Sequence, residues 1–402
     1  MRFRDLVAST SVLACAACGA PRPGGQDSGS RPLAVVPMHL YAGRIPFVDV
    51  RVAGSEPLSF IVDTGADTDL LNVKWAAPLG LTIEHAQAVD EPGGKVEEGA
   101  IRATTLAVGG IQIPGESLTT APLSFMAPFV GRKIDGLLGH EFLSRYVVEI
   151  DYERSTIAIY DPRSYRYDGP GEIVPLTLTP SDAEVHVAIR PSGGAPVDAV
   201  LELDTGSFDA LGLHGSFVDQ HALAPAGTHR LATPGLAIGG QTTGYRTRVA
   251  GVTLGSYALD DLVVSVTASN GAGNHSEVAG TLGAEVLRRF RVILDYPRKR
   301  MILEKNARYA EPSKFDMSGL TLAAEGDDFG TVRVLVVADA SPAARAGVRP
   351  GDTITTIDGQ AAGTIGLEPL FDRFQEAGKE IRLGLLRDGK PDEVTMRLQQ
   401  RI

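Results

Sequence analysis

The feature that most constrains this chain is a long internal repeat. Phe60-Ile-Val-Asp63-Thr-Gly-Ala66 returns as Leu201-Glu-Leu-Asp204-Thr-Gly-Ser207, 141 residues on (63 to 204). Ile134-Asp-Gly136-Leu-Leu-Gly139 returns as Val278-Ala-Gly280-Thr-Leu-Gly283, 144 residues on (136 to 280). The stretch that follows keeps the second offset: residues 141–154 align with 285–298, identical at seven of fourteen positions. Three landmarks in one order, drifting by three residues, mark a duplicated unit of about 140 residues.

Each unit reads as β. Phe47-Val-Asp-Val-Arg-Val alternates with period two, and Ala53-Gly-Ser-Glu-Pro is its turn. Residues 58–62 form a second strand that runs into Asp63. Residues 146–151 and 156–160 form a hairpin around Tyr-Glu-Arg-Ser, repeated in the second unit around Tyr-Pro-Arg-Lys. Short helices are expected near 72–79, 141–145 and 285–290. Two similar β lobes result, at 35–165 and 166–309.

Composition agrees. Among 402 residues, 46 Gly and 25 Pro favour short strands and tight turns over long helices. Hydrophobic residues at 43% supply enough apolar surface to exclude a disordered chain. The net charge of −11, with no Lys/Arg stripe, argues against nucleic acid as a partner.

The chemistry centres on apolar–apolar–Asp-Thr-Gly, present once per lobe. A carboxylate at the end of a buried strand is costly unless hydrogen-bonded. Two lobes would bring Asp63 and Asp204 to one pseudo-twofold axis. Two carboxylates about 3 Å apart cannot both ionise easily, so they share a proton. The ionised member can draw a proton from water while the protonated one polarises a carbonyl. Gly65 and Gly206 permit close backbone approach, and Thr64 and Thr205 offer hydroxyls that can bond across the interface.

On Asp63-Thr64-Gly65-Ala66, Asp204-Thr205-Gly206-Ser207 and the two downstream apolar–Gly motifs, the chain resembles the pepsin/retropepsin-like aspartic peptidases over about 35–309. That resemblance implies a mainly β, bilobal acid-protease fold. It implies an aspartic endopeptidase with Asp63 and Asp204 as catalytic pair, protein or peptide substrates, and no metal or other cofactor. Because both units lie in one chain, a monomer with a pseudo-twofold site is expected. The rival is a non-catalytic peptide-binding or scaffolding protein with a silent dyad.

Departures matter. The residue after Gly is Ala66 in one lobe and Ser207 in the other. In the family a Ser there can hydrogen-bond its Asp, so Asp204 is expected to ionise more readily. No Tyr lies between Asp63 and Gly136 to serve as a flap aromatic. The flap candidate in lobe one is 90–96 and its counterpart in lobe two is 237–245, and the sequence does not say which of the two covers a substrate. Trp75 is expected in the helix after the first active loop. Asp67, Asp69, Asp135 and Asp209 read as surface or local hydrogen-bonding groups, and Asp151 and Asp295 as turn caps. The eight His show no metal-binding spacing, and His140 has Ala284 as its counterpart. No Gly-x-Ser-x-Gly elbow or P-loop occurs.

Beyond 306–314 the repeat ends. Ser341-Pro-Ala-Ala-Arg-Ala-Gly-Val-Arg-Pro-Gly-Asp352 resembles the bacterial type of PDZ domain, over 315–402. Strands are expected at 332–337, 381–386 and 393–398. Ser341 should cap a helix that ends at Gly347, and 367–377 should be a longer helix. By this resemblance Met317, Ser318, Gly319 and Leu320 form the loop that would hold a peptide's C-terminal carboxylate, so that the domain recruits substrates or regulates access; the alternative is a packing module that binds no peptide.

At the other end, Arg2 and Arg4 precede a short apolar run, a signal-peptide pattern over 1–17, followed by a polar tether at 18–34. Val12-Leu-Ala-Cys15 resembles a bacterial lipobox, and Cys15-Ala-Ala-Cys18 resembles it less well. Lipidation at Cys15 or Cys18 would place the protein in the periplasm or cell envelope, touching membrane only through that anchor. These are the only two cysteines, so the folded body has neither disulfide nor thiol nucleophile.

Overall fold

The computed structural model describes residues 30–402 apart from 92–93, 226, 234, 238–239 and 269–277. The signal and lipobox segments, with Cys15 and Cys18, lie outside the described residues.

The repeat folds into two eight-stranded sheets of matching order. In the first, Leu58–Val62 lies between Ile45–Val52 and Gly136–Leu138, and Leu70–Asn72 follows on the far side of Gly136–Leu138. In the second, Val197–Asp204 lies between Ala183–Arg190 and Gly280–Gly283, followed by Leu211–His214. In each lobe the strand that ends at Asp pairs in parallel with the strand of the apolar–Gly motif. That pairing explains why the two motifs travel together in sequence. The downstream strand is the support on which the Asp-Thr-Gly loop is built: the Asp63 N–H bonds to the Leu138 carbonyl at 2.9 Å.

A six-stranded sheet joins the lobes. The expected hairpins supply its four central strands, Thr156–Tyr160, Val147–Asp151, Phe290–Asp295 and Arg300–Lys305. Val147–Asp151 of lobe one pairs antiparallel with Phe290–Asp295 of lobe two, in a register that sets Val148 opposite Leu294. Val148, Ile150, Val292 and Leu294 are fully buried within one apolar core shared by both lobes. The fold is thus mainly β and bilobal, as expected.

The C-terminal residues form a separate sheet with its own core. Its path runs Leu320–Glu325, Thr331–Val337, Thr353–Ile357, Glu380–Arg387, Lys390–Arg397. Val332, Val334, Ile354, Ile381, Leu383 and Leu385 fill its interior. Ser341 caps the helix Pro342–Arg345 as expected, its hydroxyl accepting the Ala344 N–H at 3.1 Å.

Three helices are shorter than expected, and the one near 285–290 is only Ala284–Leu287, with Phe290 already opening the strand Phe290–Asp295. The segment after the first active loop makes only the 3₁₀ turn Val73–Trp75, because Pro78 lacks the N–H that would extend it. The helix expected over 367–377 is Glu368–Arg373. Its end is drawn into another contact, with the Phe374 carbonyl accepting the Met317 N–H at 2.8 Å. Among the described residues no helix is long and apolar enough to cross a membrane.

Candidate active site

The two Asp-Thr-Gly loops meet at the junction of the lobes. Each threonine hydroxyl donates across to the other lobe: Thr64 Oγ1 to the Leu203 carbonyl at 2.6 Å, Thr205 Oγ1 to the Val62 carbonyl at 2.7 Å. Each also accepts the other threonine's N–H, at 2.9 and 3.0 Å. Both threonines are buried, so these four bonds have no water to replace them. Thr64→Val is therefore expected to cost about 2–4 kcal/mol, since it strands one buried N–H and one buried carbonyl. Urea unfolding reads this loss, and a value under ~1 kcal/mol would mean the loops are held by other contacts.

This interlock brings Asp63 and Asp204 into side-chain hydrogen bonding with each other. Both keep partial contact with solvent. The Gly65 N–H donates to Asp63 Oδ1 at 3.0 Å, and the Ser207 N–H donates to Asp204 Oδ1 at 2.8 Å. The Gly206 N–H serves both carboxylates. A Cβ on Gly206 would sit 2.5 Å from Asp63 Oδ2, and one on Gly65 would sit 2.9 Å from Asp204 Cγ. Each glycine therefore faces the opposite lobe's carboxylate, and no other residue leaves room for the pair.

Burial pushes both carboxyls up, and the two differ in degree. On Asp63 the effect is opposed by the Gly65 N–H, Asp204 and the Gly206 N–H. Asp204 is raised well above its ordinary value, by burial first and then by the charges of Asp63 and Glu202. The pair therefore titrates as one unit that holds a single proton between the two carboxyls. Residue 207 serves Asp204 through its backbone N–H, a donor that Ala66 could equally supply in lobe one, and Glu202 outweighs it.

Glu202 gave no signal in a motif search. It stands two residues before Asp204 on the same face of Val197–Asp204, where the repeat places the buried Ile61 in lobe one. Burial, with Asp182, Asp63, Asp67 and Glu184 nearby, pushes its carboxyl up to about 8. Its folded value is raised, so the stability it contributes is present at low pH and is lost as pH rises toward 8. Glu202→Gln should match the parent in urea midpoint at pH 4 and exceed it at pH 9. Parallel pH–stability curves for the two proteins would contradict this.

The other acidic residues divide. Asp67 is exposed. Asp69 is fully buried, and its Oδ1 accepts the Gly139 N–H at 2.7 Å. Burial above all, together with Glu141 and Glu116, pushes Asp69 up to about 7. Asp135 accepts from Trp75 Nε1 at 2.7 Å and pairs with Lys74 at 2.9 Å. Asp209 pairs with Arg246. Asp151 caps its turn through the Glu153 and Arg154 N–H groups, whereas Asp295 is held by the side chains of Arg298 and Arg300.

One interlobe ion pair was not foreseen. Arg44 of lobe one bonds Glu285 of lobe two at 2.9 Å and donates to the Phe208 carbonyl at 3.2 Å, just past the Asp204 loop. Burial raises Glu285, but Arg44, Arg288 and Arg289 outweigh it and hold the carboxyl below its ordinary value. The flap segment of lobe one lies on the strand pair Glu84–Glu91 and Gly94–Val108, and that of lobe two on Gly235–Ala237 and Gly240–Thr242. Their tips, 92–93 and 238–239, lie outside the described residues.

The loop Met317–Leu320 stands beside the edge strand of the C-terminal sheet, but its N–H groups are already engaged. The Met317 N–H bonds to the Phe374 carbonyl, and the Ser318 and Gly319 N–H groups bond to Asp316 at 3.2 and 2.6 Å. The Leu320 N–H bonds to Ser318 Oγ at 3.1 Å. Among the described residues no group of three or more His, Cys, Asp or Glu is disposed to hold a metal ion.

Comparison with known proteins follows the same division. Residues 48–142 match the family of aspartyl proteases, and residues 305–398 match the PDZ domain family. The first match spans lobe one from within the strand Ile45–Val52 through the apolar–Gly motif. No curated protein matches the chain. Among solved structures, the aspartic proteinase from Irpex lacteus is similar at 15% identity and a TM-score of 0.46, covering 70% of this chain and 99% of that one. The chain therefore joins an aspartyl-protease-like domain to a C-terminal PDZ domain.

Proposed function

We propose that this protein is an aspartic endopeptidase, with Asp63 and Asp204 as its catalytic pair. The observation that carries this reading is the hydrogen-bonded pair itself, held by both lobes and still in contact with solvent. Asp63, ionised, takes a proton from a water molecule, whose oxygen attacks the peptide carbonyl. Asp204, protonated, donates to the carbonyl oxygen. The gem-diol intermediate collapses as one of its hydroxyls returns a proton to Asp204 and the proton on Asp63 passes to the leaving nitrogen, so the C–N bond breaks and the pair again holds one proton. No covalent enzyme intermediate and no metal enter this scheme.

Thr64, Gly65, Thr205, Gly206 and Ser207 position the pair, through the cross-lobe bonds and through N–H groups aimed at its oxygens. Both lobes lie in one chain, so a monomer suffices. The N-terminal run would export the protein, and lipid on Cys15 or Cys18 would tether it to an envelope membrane. The PDZ domain bears on access to the cleft.

The test is cleavage of an unfolded, carboxymethylated protein by the full chain from pH 3 to 8, with chelator present throughout. Cleavage should follow a bell-shaped profile set by the pair. Glu202→Gln should leave this profile unchanged up to about pH 7, because Glu202, raised to about 8, is itself neutral there. A folded wild type that binds the substrate at every pH and cuts at none would instead support a scaffolding protein with a silent dyad.

A further inference from the structure

The PDZ domain meets lobe one through the elements that would frame its peptide groove. Leu320–Glu325 is the edge strand of its sheet, hydrogen-bonded only to Thr331–Val337. The helix Glu368–Arg373 flanks it, and the bond from Met317 to Phe374 ties the loop 317–320 to that helix's far end. A peptide taken by strand addition would lie between strand and helix, with its terminal carboxylate in the loop.

Both parts of that site are filled from within the chain. The lobe-one helix Ala127–Val130 lies against Leu320–Glu325, its Cα atoms within 8 Å of the strand. A Cβ built on the next residue, Gly131, would be 3.3 Å from the Leu367 Cβ, at the start of the flanking helix. In the loop, Asp316 stands where a peptide's end would. Its carboxylate accepts the Ser318 and Gly319 N–H groups and the Ser318 hydroxyl, with Arg401 3.8 Å away.

The contact continues into the catalytic region. Phe371 of the flanking helix meets Tyr41 edge-on at 5.8 Å and Phe208 at 5.4 Å, and Phe208 is four residues past Asp204. Tyr41 donates to the Phe129 carbonyl at 3.4 Å, so one ring bridges both helices. Glu368 accepts the Ala42 N–H at 3.0 Å and meets His39 at 2.9 Å.

We propose that the ligand of this PDZ groove is the chain's own segment 127–131, with Asp316 standing in for the terminal carboxylate. The domain is then a clamp that braces the Asp204 loop through Phe371 and Phe208. The lobe-one segment is helical and adds no strand hydrogen bonds, so apolar and aromatic contacts carry the grip. A competing peptide must displace both segment and carboxylate, which lowers its apparent affinity by the fraction of open molecules. The clamp deepens the peptidase reading by naming what holds one catalytic loop, but its test uses no cleavage.

The full chain is titrated with a fluorescent decapeptide pool ending in Val, Leu or Phe, with free or amidated C-termini. Wild type should bind neither form. Asp316→Ala combined with Phe371→Ala should bind the free-carboxylate pool at least about tenfold tighter than the amidated one. Carboxylate-dependent binding by wild type, or no gain in the double variant, overturns the proposal. Hydrogen exchange gives an independent reading. Phe371→Ala should speed exchange at least about tenfold both at 320–325 and at 204–209, and unchanged rates at either site overturn it. Should Phe371→Ala unfold, Gly131→Cys with Leu367→Cys, in a chain with Cys15→Ser and Cys18→Ser, replaces it. The Cβ separation of 3.3 Å is slightly under the about 3.5–4.5 Å that a disulfide spans, so the two thiols come within reach of each other. Oxidation should close an intramolecular bond in the monomer and slow exchange at 204–209, whereas a folded chain that cannot be crosslinked refutes the contact.

Discussion

Asp63→Asn is expected to lower turnover of an unfolded protein by about 10³-fold, and Asp204→Asn by a similar factor, as for loss of a general acid or base. Neither change should destabilise the fold. Burial raises both carboxyls above their unfolded values, so the native state binds protons more tightly than the unfolded chain. Stability from each group is therefore present at low pH and is lost as pH rises through its folded value. An amide keeps the neutral form at all pH. Each variant should match wild type in melting temperature at pH 3 and exceed it at pH 8. A paired measurement of kcat and melting temperature checks both halves. Turnover within tenfold of wild type would remove the catalytic role, and lower stability at pH 8 would mean that the carboxylates hold the loops together.

Gly280→Ala is expected to destabilise lobe two by at least about 3 kcal/mol, in the range reached by backbone strain and overpacking together. Gly280 has φ +146°, which an L-residue rarely adopts, and a Cβ there would press into the Gly212 carbonyl oxygen on the neighbouring strand. Backbone on both sides leaves no side chain to give way. Gly280–Gly283 also carries the Asp204 strand by parallel pairing, so the damage should reach the catalytic loop and lower turnover at temperatures where the chain remains folded. Urea unfolding and turnover at 15 °C test this. A loss below ~1 kcal/mol would show that the strand can shift without cost.

Much of the fold was legible because duplication supplies its own control. Residues 58–62 and 156–160 match the strands Leu58–Val62 and Thr156–Tyr160, since alternation and turn residues act locally. The longer C-terminal helix was overestimated because its end is set by the Met317–Phe374 bond, a partner 57 residues away (317 to 374) that local periodicity cannot see. The Asp pair was legible because the motif occurs twice. Glu202 was not legible, because it belongs to no repeated motif and sits on a strand face whose counterpart in lobe one is Ile61.

By itself the sequence determined that a β unit is used twice, that Asp63 and Asp204 are equivalent, and that a PDZ domain follows. These rest on short-range patterns repeated along the chain. Only the tertiary structure decided that Glu202 stands beside the Asp pair, that Arg44 and Glu285 join the lobes beside Phe208, and that the PDZ groove faces lobe one. Each depends on charges and rings brought together from segments far apart in sequence. Burial sets the cost of a charge, and burial is a property of the assembled lobes rather than of any stretch within them.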